Sequence, residues 1–152
     1  LNRMKKIQLY LMLILSVTLL SCSSDSDDNN SSQNPSTNGF LYAENGSTTM
    51  TSVSSSYASN QYKSIFAVNN SNTIIEINLT SLAVGSYTID DATNFFAYLK
   101  PGTTGMWTGS AGTVTITANA NNKLTGTFSI TSGSGISDVN SVSGSFTNIP
   151  IQ

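Results

Sequence analysis

Five carboxylates in residues 39–152 have the side-chain type that could support acid–base chemistry. They are Glu44, Glu76, Asp90, Asp91 and Asp138. A glycosidase needs two carboxylates on opposite sides of the scissile bond, roughly 5–9.5 Å apart. Asp90 and Asp91 are adjacent, so on a strand they would point to opposite faces, while in a turn they could hold calcium. Because no D-x-D-x-D-G spacing accompanies them, we expect solvated turn acids.

The composition lacks the residues that would activate a nucleophile for catalysis. The chain has no histidine and one cysteine, which excludes a Ser-His-Asp triad and a zinc site of the usual His/Cys type. A serine nucleophile needs a base within hydrogen-bond reach, and no lysine stands in an S-x-x-K arrangement. A lysine–asparagine isopeptide cross-link needs a buried acid beside the pair; Lys123 and Glu76 have the types of the lysine and the acid, but we do not favour this bond. We predict no enzymatic activity, no metal and no cofactor.

The aromatic residues offer a second kind of site. Trp107, the only tryptophan, lies between Gly105 and Gly109. A ring presented in this way could stack on a sugar, with Tyr57 and Tyr62 as further candidates for ligand binding. The alternative is that Trp107 closes one end of the core, as a large aromatic residue commonly does. We favour the core.

The N-terminal residues predict a targeting signal and not part of a folded domain. Lys5 and Lys6 precede an apolar run at residues 7–20, which is too short to cross a bilayer and has the length and charge order of a signal peptide. The run ends in Leu-Leu-Ser-Cys at residues 19–22. This resembles the bacterial lipobox, although Leu20 is bulkier than the favoured residue. We therefore expect a signal peptide at residues 1–21, translated from Met4, and lipidation of Cys22.

Residues 22–38 predict a disordered tether. No apolar side chain follows Cys22 in this segment, so nothing offsets the entropy of ordering it. Asp25, Asp27 and Asp28 follow the cysteine closely, which resembles the acidic export signal of surface lipoproteins in the Bacteroidota. We expect an outer-membrane lipoprotein exposed at the cell surface; a periplasm-facing position is the alternative.

Residues 39–152 predict one all-β domain. Apolar and polar side chains alternate at 73–79, 113–118 and 123–131, which is typical of half-buried antiparallel strands. Weaker strand patterns lie at 40–43, 48–53, 64–68, 86–89, 95–99 and 142–146, with turn residues such as Asn45-Gly46 and 119–122 between them. About eight or nine short strands at this spacing indicate an antiparallel β-sandwich or a flattened barrel.

Charge makes nucleic acid an unfavourable partner. After Cys22, three lysines (Lys63, Lys100 and Lys123) stand against eight acids, which gives a side-chain charge of −5. A surface that binds a phosphate backbone needs the opposite sign.

The order of the strand motifs resembles a group of small Bacteroidota lipoproteins of uncharacterised function. The motifs are G-x-Y-x-I at 85–89, G-x-V-x-I-T at 112–117, T-G-T-F at 125–128 and G-x-F-x-N-I-P at 144–150. The resemblance covers about two thirds of the domain and implies a lipidated all-β domain on the outer membrane, with no established activity. We expect a non-enzymatic structural or interaction role at the cell envelope. The alternative is a module that binds a glycan or another envelope ligand through Trp107 and nearby Tyr, Asn and Thr.

Overall fold

A computed structural model of the chain describes residues 39–90 and 92–152. The predicted signal peptide, the lipidated Cys22 and the tether lie outside the described residues, and so does Asp91.

The described residues form ten β-strands and no helix. The strands are β1 (Gly39–Glu44), β2 (Thr51–Ser52), β3 (Ser55–Ser59), β4 (Ser64–Val68), β5 (Ile74–Asn78), β6 (Gly85–Ile89), β7 (Phe95–Leu99), β8 (Trp107–Ala120), β9 (Lys123–Ser134) and β10 (Val142–Pro150). The strands pair antiparallel in one sheet that curls into a half-barrel. The prediction of an all-β antiparallel domain is thus confirmed.

The order of strands in the sheet is β2-β1-β10-β9-β8-β7-β5-β4-β3. The long β8 pairs with β7 at its beginning and with β6 further along. β7 and β6 therefore lie one after the other along the same edge of β8. The edge strand β3 contacts the residues that follow β10: Ala58 forms a bridge with Ile151, and the amide of Gln152 donates to the carbonyl of Ala58 at 2.8 Å.

The registers define two ends of the half-barrel. At the near end, β1 begins at Gly39, β3 turns into β4, and β8 turns into β9. At the far end, β1 ends at Glu44, β4 turns into β5, and β7 ends at Leu99. The near end is therefore the end at which the preceding chain joins the domain.

The tightest turn follows from two asparagines. Asn121 and Asn122 have φ of 54° and 56°, and they connect paired residues Ala120 and Lys123. Two residues with positive φ form the type I′ turn whose twist matches a β-hairpin, and asparagine tolerates this conformation better than most residues. The turn predicted at 119–122 is present, shortened to its last two residues.

The sequence pattern missed β3. Among its residues, Ser55 to Ser59, Ala58 is the buried apolar side chain, so the serine-rich segment has no visible hydrophobic alternation. It forms a strand because its backbone pairs along the full length of β4. The strand predicted at 48–53 is reduced to Thr51–Ser52, two exposed residues paired with β1.

Two glycines of the motifs pack beneath phenylalanine rings. Gly126 of β9 lies opposite Phe146 of β10, and Gly144 of β10 lies opposite Phe128 of β9. A Cβ atom on either glycine would lie 2.5 Å from the facing ring, closer than real Cβ contacts come. Both rings are buried and contact Phe40, with centroid distances of 5.3 Å for Phe128 and 6.2 Å for Phe146. The glycines therefore make room for the centre of the core.

Candidate functional site

Four polar side chains meet at the far end and form what we call the far-end cluster. The ammonium group of Lys100 lies 2.9 Å from Glu44 Oε2 and 2.7 Å from Asp138 Oδ2. The hydroxyl of Tyr98 donates to Glu44 Oε1 at 2.6 Å. Of the predicted candidate acids, the structure thus brings Glu44 and Asp138 to a single lysine.

Three separate parts of the chain position this cluster. Glu44 ends β1, Tyr98 and Lys100 lie at the end of β7, and Asp138 belongs to the loop between β9 and β10. That loop is held by Asn45, whose side-chain amide donates to the carbonyl of Asp138 at 2.8 Å and whose Oδ1 accepts from the amide of Asn140 at 2.7 Å.

The electrostatics of the cluster favour the charged forms of Lys100 and Asp138. Hydrogen bonds to Asp138 and then Glu44 raise the pKa of Lys100, and the hydrogen bond from Lys100 lowers the pKa of Asp138. Burial, followed by the hydrogen bond to Glu44, raises the pKa of Tyr98. A lysine base or a tyrosine nucleophile would need a lowered pKa. The arrangement is suited to holding β1, β7 and the β9–β10 loop together.

The remaining described acids lie elsewhere and also make internal bonds. Glu76 Oε1 accepts from the side-chain amide of Asn78 at 2.8 Å on the outer face of β5. Asp90 Oδ1 accepts from the amides of Thr93 at 2.7 Å, Ala92 at 3.1 Å and Asn94 at 3.3 Å. Asp90 therefore closes the turn between β6 and β7.

Acid should weaken the domain through Asp90 and Asp138. The amide of Thr93 is the largest cause that lowers the pKa of Asp90, and Lys100 is the largest for Asp138. A folded-state pKa below the ordinary 3.8 gives stabilisation that is present above that value and is lost as pH falls through the folded-state pKa. We expect the free energy of unfolding, measured in urea, to fall as the pH drops below about 4.

The variants Asp90→Asn and Asp138→Asn isolate this effect. Each should be less stable than the wild type at pH 7 and should show a shallower loss of stability in acid. Identical acid slopes in the wild type and both variants would contradict the assignment.

Trp107 lies inside the half-barrel. Its side chain is 0% exposed and meets Phe96 edge to face, with centroids 6.0 Å apart and planes at 81°. Gly133 leaves the room for the indole, since a Cβ atom there would lie 2.5 Å from the ring. The hypothesis that Trp107 stacks on a sugar needs an exposed ring, so the burial of Trp107 corrects it in favour of the core interpretation. The indole Nε1 has no hydrogen-bond partner among the described residues.

The two tyrosine candidates lie outside the core. Tyr57 of β3 is half-buried and stacks on Phe66, with centroids 5.2 Å apart. Tyr62 lies in the turn between β3 and β4 and is 68% exposed. The structure does not bring Trp107 together with these two residues on one surface.

Sequence reasoning also missed an apolar row on the outer face at the far end. Val68, Ile74 and Leu99 are paired across β4, β5 and β7, and Met106 follows next to Leu99 because Tyr98 pairs with Trp107. The row holds three of the large apolar side chains that are exposed in the described domain: Val68, Ile74 and Met106. Each belongs to a different strand or loop, so register alone brings them together.

Neither a metal centre nor a membrane-spanning helix is found in the part of the chain that the structure describes. No group of three or more Cys, Asp or Glu side chains there could hold an ion. No helix in that part has the length and hydrophobicity that crossing a bilayer requires.

The comparisons with known proteins give one finding. A protein-family model described as "Domain of unknown function (DUF6252)" matches residues 49–150, the segment that contains β2 to β10. No curated protein and no solved structure matches the chain.

Proposed function

The chain belongs to the DUF6252 family of domains of unknown function, and we propose, from its N-terminal residues and strand motifs, that it is a lipid-anchored, non-enzymatic structural or interaction protein of the cell envelope. Cys22 carries the lipid in this proposal, and residues 23–38 separate the lipid from the domain. The strand motifs, which resemble those of a group of small Bacteroidota lipoproteins of uncharacterised function, support this proposal.

The proposal of a non-enzymatic role rests on the hydrogen bonds that the carboxylates form within the domain. Each carboxylate among the described residues accepts a hydrogen bond from inside the domain: Glu44, Glu76, Asp90 and Asp138. A glycosidase needs two carboxylates that flank the scissile bond, whereas Glu44 and Asp138 both contact Lys100. These acids support the fold.

The surface supports an interaction role. The far end, opposite the point at which the chain joins the domain, carries the apolar row of Val68, Ile74, Leu99 and Met106. Exposed apolar groups on a protein that stays at a membrane are typical of contact surfaces. In the glycan-binding alternative, Tyr57 and Tyr62 remain candidates for ligand contact. Trp107 does not, because its ring is buried and cannot stack on a sugar.

The proposed location rests on the three acids that come shortly after Cys22. We propose that Asp25, Asp27 and Asp28 send the lipidated protein to the cell surface. The test is proteinase K treatment of intact Bacteroidota cells that express the chain with a C-terminal epitope tag. The tag should be lost from intact cells, and it should be protected when all three acids are replaced by asparagine.

Two controls make this result specific. The protected tag must become sensitive once the outer membrane is permeabilised, and Glu76→Gln, a change of an acid within the domain, should leave surface exposure unchanged. A wild-type tag that is protected in intact cells would favour the periplasm-facing alternative and would contradict the surface assignment.

A further inference from the structure

Two of the three described lysines lie at the near end of the half-barrel. Lys63 lies in the β3–β4 turn and Lys123 begins β9. Among residues 39–90 and 92–152, neither forms an ion pair, whereas Lys100 at the far end forms two. The near-end lysines therefore carry charges that no described acid neutralises.

Backbone contacts bring the two lysine-bearing turns to one end. Lys123 pairs with Pro150, and the amide of Ile151 donates to the carbonyl of Asn122 at 2.8 Å. The next residue, Gln152, accepts from the amide of Asn60 at 3.0 Å, in the turn that contains Lys63. Gly39 pairs with Thr147 on the same strand, β10. The lysines thus lie around the point at which the preceding chain joins the domain.

The charges are polarised along the half-barrel. The described acids lie at the far end (Glu44 and Asp138), on β5 (Glu76) and after β6 (Asp90). On the side of Lys63, β4 runs five residues from the near-end turn to the far end and spans roughly 17 Å. The Debye length in physiological salt is about 8 Å, so a surface that contacts the near end is screened from the far-end acids.

Exposed amphipathic and apolar side chains accompany these lysines. Tyr62, next to Lys63, is 68% exposed. Val84, just before β6, is 63% exposed, and Asn119 Nδ2 holds this loop at the near end by donating to the carbonyl of Leu82 at 2.9 Å. Tyrosine is enriched at the membrane–water interface, where its ring lies at the level of the headgroups.

We propose that the near end is a docking surface for an anionic phospholipid bilayer. The proposal rests on the proposed function, because the lipid on Cys22 holds the domain at the membrane. Lys63 and Lys123 face the anionic headgroups, and Tyr62 lies at the interface. Two lysines near an anionic surface correspond to about a thirtyfold preference for this orientation. The far end and its apolar row then point away from the membrane.

The test measures the depth of each end in vesicles. The full lipidated chain is reconstituted into vesicles of brominated phosphatidylcholine with or without phosphatidylglycerol, and tryptophan is placed at the near end by Tyr62→Trp. Met106→Trp, at a position 50% exposed at the far end, is the matched control. The native Trp107 is fully buried and gives a constant background.

We expect bromine to quench the Tyr62→Trp signal in anionic vesicles and to leave the Met106→Trp signal unchanged. Adding Lys63→Gln and Lys123→Gln to Tyr62→Trp should reduce quenching to the level in neutral vesicles, and so should high salt. Equal quenching at both positions, or equal quenching in neutral and anionic vesicles, would overturn the proposal.

A second arm separates this proposal from the lipid anchor itself. Cys22 is the only cysteine, so a maleimide lipid can be coupled there if the cell does not lipidate it. Quenching of Tyr62→Trp in this form would show that the near end docks even where the proposed anchor fails. Its absence, with the artificial lipid in place, would overturn the docking surface alone.

Discussion

Gly144→Ala is expected to lower the free energy of unfolding by about 3 kcal/mol, near the upper end of what overpacking costs. The new Cβ atom would lie 2.5 Å from the ring of Phe128 and would also collide with the backbone carbonyl of Leu41. The carbonyl belongs to the neighbouring strand β1, so it cannot rotate away as a side chain would. The ring must instead leave the buried position in which it contacts Phe40.

Urea denaturation of the wild type and the variant measures this effect, and the melting temperature should fall by roughly 10 °C. Gly126→Ala should give a similar loss, because its Cβ atom would meet the ring of Phe146 and the backbone carbonyl of Thr115. Gly105→Ala is the matched control, with 3.5 Å to its nearest neighbour. A loss at Gly144 no larger than the loss at Gly105 would contradict this packing.

This packing gives two sequence motifs a structural meaning. T-G-T-F and G-S-F each place a glycine two residues before a phenylalanine, at Gly126 with Phe128 and at Gly144 with Phe146. In antiparallel register, each glycine faces the phenylalanine of the other motif. The motifs therefore describe how two strands fit together and imply no chemistry.

Cys22→Ala is expected to reduce lipid labelling to background. The thiol of Cys22 is the one atom in the chain that can take the diacylglyceryl group of a lipoprotein, because the sequence contains no other cysteine. Cells that express the tagged chain are grown with an alkyne-bearing palmitate, and the label on the purified chain is measured. A single acyl chain binds membranes only marginally, so stable anchoring needs more than one.

Neighbouring substitutions provide the control for this experiment. Ser21→Ala keeps a small residue before the cysteine, so labelling should be retained, and Ser23→Ala should also be neutral. Labelling that persists in Cys22→Ala, or that is absent from the wild type, would contradict lipidation at this residue.

Hydrophobic alternation predicted much of the fold, because antiparallel strands with one buried face repeat every two residues. Residues 64–68 and 95–99 form strands with the predicted bounds. Alternation could not reveal β3, where Ala58 is the buried apolar side chain. It also placed the end of β10 too early, since that strand continues to Pro150 after a register shift that follows Phe146.

The far-end cluster could not be predicted in the same way. Its hydrogen bonds join residues 54, 56 and 38 positions apart in the chain. Such contacts depend on the order of strands in the sheet, which hydrophobic alternation does not encode. Asn45, the residue that fixes the Asp138 loop, carried one local signal: Asn-Gly at residues 45–46 predicts a turn, and the turn is present with φ of 54° and 71°.

We propose above all that Cys22 becomes the lipidated N-terminus of an envelope protein. Mass spectrometry of the N-terminal peptide, cleaved from the chain after extraction from membranes, tests it most directly. We predict a peptide that begins at Cys22 and carries a diacylglyceryl group on the thiol, with residues 1–21 removed. A peptide that begins at any other residue, or an unmodified Cys22 in membrane-extracted protein, would contradict the account.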